Sequence, residues 1–371
     1  MVIEDNNKIS LKQSRKMLVF DLFSIPGLIV PYLAANTAGR DGILTIIIGT
    51  VFAILYAIII LRLSSCIQGG FIEYSQRSVG KILTAFFYLF YLVKLFATLV
   101  FSVAFMGSII RDTFLVDTNF NIIIAILLLT CSYTAFRGVE VRARVIEFLY
   151  YIVLVPIIIL LLLGIKGIDI NNLAPIITSS GTNIIAGSYY VLLAYSAIDL
   201  FIIIPAFLCK PTKAKIKFNW SIGFIGLFNL LLFCVTVGNL GVVGTTKKLW
   251  ATVTVMQMIK MPGGMIKRQD GIMLSLWLLA AFTFISMLIF YLSYLTNKVL
   301  GRKDYQYFIL PFVVIAFLVT LIKIDITTLF EYYGKYMAYI GFPQSILIPV
   351  IIVSIGKLRK IKGVEEEKED E

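Results

Sequence analysis

The stretch "VFDLFSIPGLIVPYL", Val19 to Leu33, decides the fold. It is apolar enough for a membrane-spanning helix, yet it carries a carboxylate, Asp21. It also places Ser24, Pro26, Gly27 and Pro31 within about three turns. Gly and Pro are the poorest helix formers. Where a helix breaks at bilayer depth, lipid cannot satisfy the freed backbone groups, so they must line a cavity or bind something. The alternative is a pair of ordinary proline kinks.

A second stretch decides between these. "GTNIIAGSYYVLLAYSAIDLFIIIPAFL", Gly181 to Leu208, repeats the pattern, with Gly187, Ser188, Tyr195, Ser196, Asp199 and Pro205. Two hydrophobic segments interrupted in corresponding halves of a chain mark the binding site of an inverted-repeat transporter fold. The pairing favours breaks that bind. A half-helix N-terminus offers partial positive charge to a carboxylate, and unwound carbonyls suit an ammonium or a cation. The candidate ligand-binding residues are therefore Ser24, Ile25, Pro26 and Gly27 at the first break and Tyr195, Ser196 and Ala197 at the second.

Composition supports a bilayer as solvent. Of 371 residues, 59% are hydrophobic and 15% charged, and mean hydropathy is +0.93, more apolar surface than a soluble domain of this size hides. The pattern predicts ten spans, near Met17–Ala35, Gly42–Leu63, Ile82–Ile110, Phe120–Phe136, Val145–Ile165, Thr182–Phe207, Asn219–Val243, Gly271–Thr296, Tyr307–Ile322 and Met337–Ile355. The fold class is all-α: a polytopic ten-helix bundle of five-plus-five inverted repeats with broken first and sixth helices. Residues 1–16 form a polar N-terminal tail without a signal-peptide pattern. Residues 17–355 are one transmembrane domain, with repeats at about 17–165 and 182–355, and residues 356–371 are a charged tail.

About two-thirds of the 33 Lys and Arg fall on the N-terminal side of the bundle, which predicts both ends in the cytoplasm. The connection Thr245–Asp270 dissents with five basic residues. There Leu249, Val253, Val255, Met256 and Ile259 suggest an amphipathic helix lying on the surface. The basic half of "KLRKIKGVEEEKEDE" suits anionic lipid headgroups. The net charge of +12 lies in short clusters between spans, which points to topology and not to nucleic acid. With no histidine and four scattered cysteines, metal sites and histidine triads are not expected, nor is a cofactor.

Three intramembrane charges need explaining: Asp21, Lys94 and Asp199. Lys94 reads as a fixed internal cation, standing in for a coupling ion or pairing with Asp199 or Asp21, or else as a residue of a polar crevice. Asp21 lies near a span end, where snorkelling competes with function. Two such acids outside a Gly-x-Gly-Asp setting do not make an aspartyl protease, and no enzymatic activity is expected. Thr283 and Ser286 share a face of the eighth span, where they meet a ligand or bond their own backbone.

Several short motifs lie along the whole chain: "ISLKQ" (Ile9–Gln13), "AGRDGIL" (Ala38–Leu44), "NNLAPI" (Asn171–Ile176), "KRQDGIMLSLWLL" (Lys267–Leu279) and "GFPQSILIP" (Gly341–Pro349). With them the chain resembles the endospore germination permease family, the B-type subunit of nutrient germinant receptors, within the amino acid–polyamine–organocation superfamily. The resemblance implies a spore inner-membrane protein assembled with A-type and C-type subunits, sensing a small nutrient, often an amino acid, within the bundle. Arg40, Asp41 and Asp270 read as topology or subunit-contact residues. A secondary amino acid transporter coupled to an ion gradient is the alternative function.

Overall fold

The computed structural model describes residues 9–67, 70–175, 177–207, 215–259, 269–302, 304–322 and 324–359. The charged tail beyond Arg359 and the side chain of Asp270 lie outside the described residues. Helix α1, Leu11–Phe23, starts at a capping box: the Ser10 hydroxyl accepts from the Gln13 amide at 3.2 Å, and the Gln13 side chain accepts from the Ser10 amide at 2.9 Å. It stops at Ser24, whose ψ of −118° is not helical, and α2 (Ile25–Ala38) restarts with Pro26 in its first turn, where the missing N–H costs nothing. The first span is therefore two half-helices. Gly39, at φ 57°, turns the chain into α3, Gly42–Cys66.

The remaining helices are α4 (Phe71–Val79), α5 (Lys81–Thr113), α6 (Phe120–Phe136), α7 (Gly138–Gly164), α8 (Gly181–Ala194), α9 (Lys215–Thr246), α10 (Ala251–Met258), α11 (Gln269–Leu300), α12 (Ile309–Thr320), α13 (Ile326–Tyr336) and α14 (Phe342–Leu358). At about 1.5 Å per residue, the 33-residue α5 is long enough to cross a bilayer at a tilt. After α8 the sixth span bends by 46° and continues as 3-10 turns, Ser196–Ile202 and Ile204–Phe207. Among the described residues the helices make ten spans: α1 with α2, α3, α5, α6, α7, α8 with its 3-10 extension, α9, α11, α12, and α13 joined to α14 through a π-turn at Met337–Gly341. Leu89, Phe148, Leu310 and Leu347 are among the large apolar side chains left facing outward, as a lipid solvent allows. This is an integral membrane protein.

Close helix packing rests on small residues, as it must where lipid supplies no hydrophobic drive. A Cβ on Gly49 of α3 would lie 2.8 Å from Val191 Cβ of α8, so the two backbones meet where no larger residue fits.

Three expectations are corrected. The tenth span begins at Ile326, eleven residues before Met337, because Glu331 and Lys335 ride on a helix instead of ending one. The Thr245–Asp270 connection does contain a helix, α10, but it does not lie on the surface. Leu249, Val253, Val255, Met256 and Ile259 are all buried, and the Thr252 hydroxyl donates to the Leu28 carbonyl of α2 at 3.4 Å. Its apolar face packs into the bundle, not into lipid. Asp41 is internal as well. Its carboxylate accepts the amides of Ile177 (2.5 Å), Thr178 (2.8 Å) and Ser179 (2.6 Å), while Arg40 donates to the Ala174 carbonyl at 2.6 Å. These bonds hold Ile177 at φ 70°, a backbone region hostile to a β-branched residue.

Candidate functional site

The break after α1 is braced from behind. The Ser24 amide donates to the Phe20 carbonyl at 3.0 Å and its hydroxyl to the Asp21 carbonyl at 2.8 Å. The Ser24 carbonyl, at the N-cap of α2, accepts the Trp277 indole N–H at 2.7 Å. Trp277 of α11 is 1% exposed and stacks on Phe23 with ring centroids 4.7 Å apart. Gly27 sits beside the Asn229 side chain and the same tryptophan.

Asp21 does not snorkel. It is buried on an ion pair with Arg142 of α7, whose Nε also donates to the Thr283 carbonyl of α11 at 3.0 Å. The Arg142 guanidinium thus ties α1, α7 and α11 together at the N-terminal side of the bundle. One turn nearer that surface, Lys16 pairs with Glu147 at 3.2 Å and Gln13 donates to the same carboxylate at 3.1 Å. Spatial pairing explains why the carboxylate stays in the bundle: an unpaired buried charge is far costlier than a paired one.

The second break places Tyr195 at the end of α8, where its hydroxyl accepts from Asn229 Nδ2 at 2.9 Å. One 3-10 turn later, Asp199 pairs with Lys94 of α5, and the Lys94 ammonium also donates to the Ser345 hydroxyl of α14 at 2.6 Å. Lys94 and Asp199 are 3% and 1% exposed, so each is the other's principal counter-charge. Three distant spans are joined by two charges and one hydroxyl.

Between the two breaks lies a cavity of about 420 Å³, within the usual range for small-molecule sites. Ile25 and Pro26 face it from the first break, Ser196 and Ala197 from the second, and Lys94 with Asp199 forms part of its lining. Ser24, Gly27 and Tyr195 are not on its wall; they support it through Trp277 and Asn229. Thr283 and Ser286 are corrected more sharply. Their hydroxyls donate to the Ala280 and Phe282 carbonyls of their own helix at 2.8 Å each, and Phe284 and Leu288 take the cavity face instead. Asp21 also lies away from the cavity.

Sequence reasoning missed most of the wall. Tyr32, Thr98, Phe101, Phe330 and Tyr333 line it, and the Thr98 and Tyr333 hydroxyls lie 3.2 Å apart. The available signal was helical spacing: Lys94, Thr98, Phe101 and Ser102 recur on one face of α5. Ser345 and Arg142 had no such signal, since their partners lie more than a hundred residues away. Among the described residues no group of three His, Cys, Asp or Glu side chains is placed to hold a metal ion. The cavity's donors suit an organic molecule with a polar end and an apolar body.

Comparison with known proteins gives this geometry its context. A family model described as "Spore germination protein" matches residues 8–329. Spore germination protein YndE of Bacillus subtilis (strain 168) is 23% identical over 358 residues, covering 95% of this chain and 98% of that protein. Spore germination protein B2 of the same organism is 20% identical over 368 residues, covering 97% and 98%. Among solved structures, the nucleobase-cation-symport-1 family transporter Mhp1, in a closed conformation with bromovinylhydantoin bound, aligns with a TM-score of 0.63 at 12% identity, covering 95% of this chain and 93% of that one. A Na+-coupled sialic acid symporter, substrate-bound and outward-open, aligns at 0.67 with 13% identity, covering 90% and 77%. The chain belongs to the spore germination protein family and carries its sequence on an inverted-repeat transporter fold.

Proposed function

We propose that this protein is the transporter-like subunit of a nutrient germinant receptor, without enzymatic activity, that binds a small nutrient such as an amino acid and signals to partner subunits. The observation that carries this reading is the 420 Å³ cavity at the meeting of the two helix breaks. The first turn of α2 faces the cavity at Ile25 and Pro26, where Ile25 carries the amide and proline has none, and α8 ends against the cavity at Ala194. A carboxylate and an ammonium on one carbon match those two ends. The partners are A-type and C-type receptor subunits, a role suggested by relatives named spore germination proteins B2, A2 and GerLB. The location is the spore inner membrane with both termini in the cytoplasm, so the cavity mouth, at Asn36 and Glu331, faces outward.

The test is germination of spores lacking this gene, complemented with the native chain or with Pro26→Leu, across a nutrient panel. Restoration by the native chain and loss with Pro26→Leu for the same nutrient is the expected result; an unchanged panel in the deletion strain rejects the role. A second reading, a secondary amino acid transporter coupled to an ion gradient, draws on the fold shared with two symporter-type structures. Uptake of labelled amino acids by proteoliposomes holding this chain alone favours it. Germination loss with no uptake favours the receptor.

A further inference from the structure

We infer that the molecule this cavity selects carries no net charge and has a bulky apolar body, a ring or a branched chain. The inference rests on the nutrient-binding reading and narrows it.

Charge comes first. Four charged side chains border the cavity, Lys94 and Asp199 within it and Glu331 and Lys335 on α13, two of each sign. The inner pair is already satisfied, since Lys94 holds both Asp199 and the Ser345 hydroxyl. A ligand cation drawn to Asp199, or a ligand anion drawn to Lys94, would have to part them and leave a buried charge alone, which is strongly unfavourable. What remains for a ligand's polar end is dipolar: the first turn of α2 and the end of α8 each carry about half a charge, of opposite sign. Such ends accept a zwitterion or a neutral polar group, and Glu331 and Lys335, one of each sign at exposed positions on the border, favour neither sign of a second net charge.

Shape comes second. Phe101 and Tyr333 stack with centroids 4.2 Å apart and planes within 5°. Phe330 continues this surface, 6.0 Å from Phe101 and edge-on to Tyr32 at 5.5 Å, and Phe284 closes it from α11. A nutrient as small as glycine leaves most of the aromatic wall wet. A ring or branched chain displaces that water and covers the wall, which is the favourable process.

The test measures binding to the full-length chain in nanodiscs against L-phenylalanine, L-leucine, glycine, L-glutamate and putrescine. Phenylalanine and leucine are expected to bind at least about tenfold more tightly than glycine, and glutamate and putrescine not to compete. Phe330 lies on α13, where no residue is fully buried, so Phe330→Ala should fold. It is expected to shrink the preference for phenylalanine over glycine about tenfold. Glu331→Lys, at an exposed position, makes the border net positive and is expected to let glutamate compete. Glycine, glutamate or putrescine binding the native chain as tightly as phenylalanine overturns the selection and leaves nutrient binding standing. If none of the five binds the native chain while its melting temperature shows it folded, both readings fall.

Discussion

Lys94 and Asp199 hold each other inside the bundle, and what happens when one is removed separates structure from response. In Lys94→Met the Asp199 carboxylate is left buried without a counter-charge, and the loss is expected to be about 3–5 kcal/mol of stability, with nutrient response abolished. Lys94→Arg keeps the charge but not the fit beside Ser345, and part of the response is expected to remain. The double variant Lys94→Met with Asp199→Leu removes both charges, and its melting temperature in detergent should return most of the way to the native value. A double variant that regains both stability and germination response would show that the pair is structural only. Arg142 and Asp21 obey the same arithmetic away from the cavity, so Arg142→Met is expected to destabilise the chain without altering which nutrients it recognises.

At the scale of the element, the first span depends on Trp277 as much as on its own Pro and Gly. Trp277→Phe keeps the stack on Phe23 but removes a donor to the Ser24 carbonyl, a hydrogen bond worth about 0.5–1.5 kcal/mol. Thermal unfolding reads the cost, and a weaker nutrient response at unchanged expression would show that the break must be held to bind. The breaks themselves were legible in the sequence because Ser, Gly and Pro act locally: each alters the helix at its own position. Their bracing was not legible, since Trp277 and Asn229 reach the breaks from other helices. Thr283 and Ser286 illustrate the converse. Helical spacing correctly put them on one face, but a hydroxyl in a helix can turn to its own carbonyls, and spacing does not distinguish the two fates. Likewise α13 carries Glu331 and Lys335 within its span, and charge alone made it look like a loop.

Across the whole molecule, the short motifs fall on its joints. Ser10 and Gln13 of "ISLKQ" start α1, and Ser345 of "GFPQSILIP" meets Lys94. Arg40 of "AGRDGIL" donates to the Ala174 carbonyl of "NNLAP" and Asp41 clasps the segment that follows it, so two motifs whose contact spans 134 residues of sequence meet in space. Each motif is too short to specify a fold; together they place the ends of the spans. Asp41→Ala removes the acceptor of three amides and is expected to cost about 1–3 kcal/mol and to free residues 177–180. Limited proteolysis reads the second effect, and an unchanged cleavage pattern in that segment would count against the clasp.

The neutral floor of the cavity has an electrical consequence. Carrying one elementary charge across the membrane is worth about 2.3 kcal/mol per 100 mV, so a lone lysine shifting with its helix would make the protein a voltmeter. Lys94 and Asp199 move as a couple of zero total charge, and the transmembrane potential does almost no work on them. Nutrient affinity measured in vesicles is therefore expected to be the same with and without an imposed potassium diffusion potential. Asp199→Asn should confer a voltage dependence that the native protein lacks.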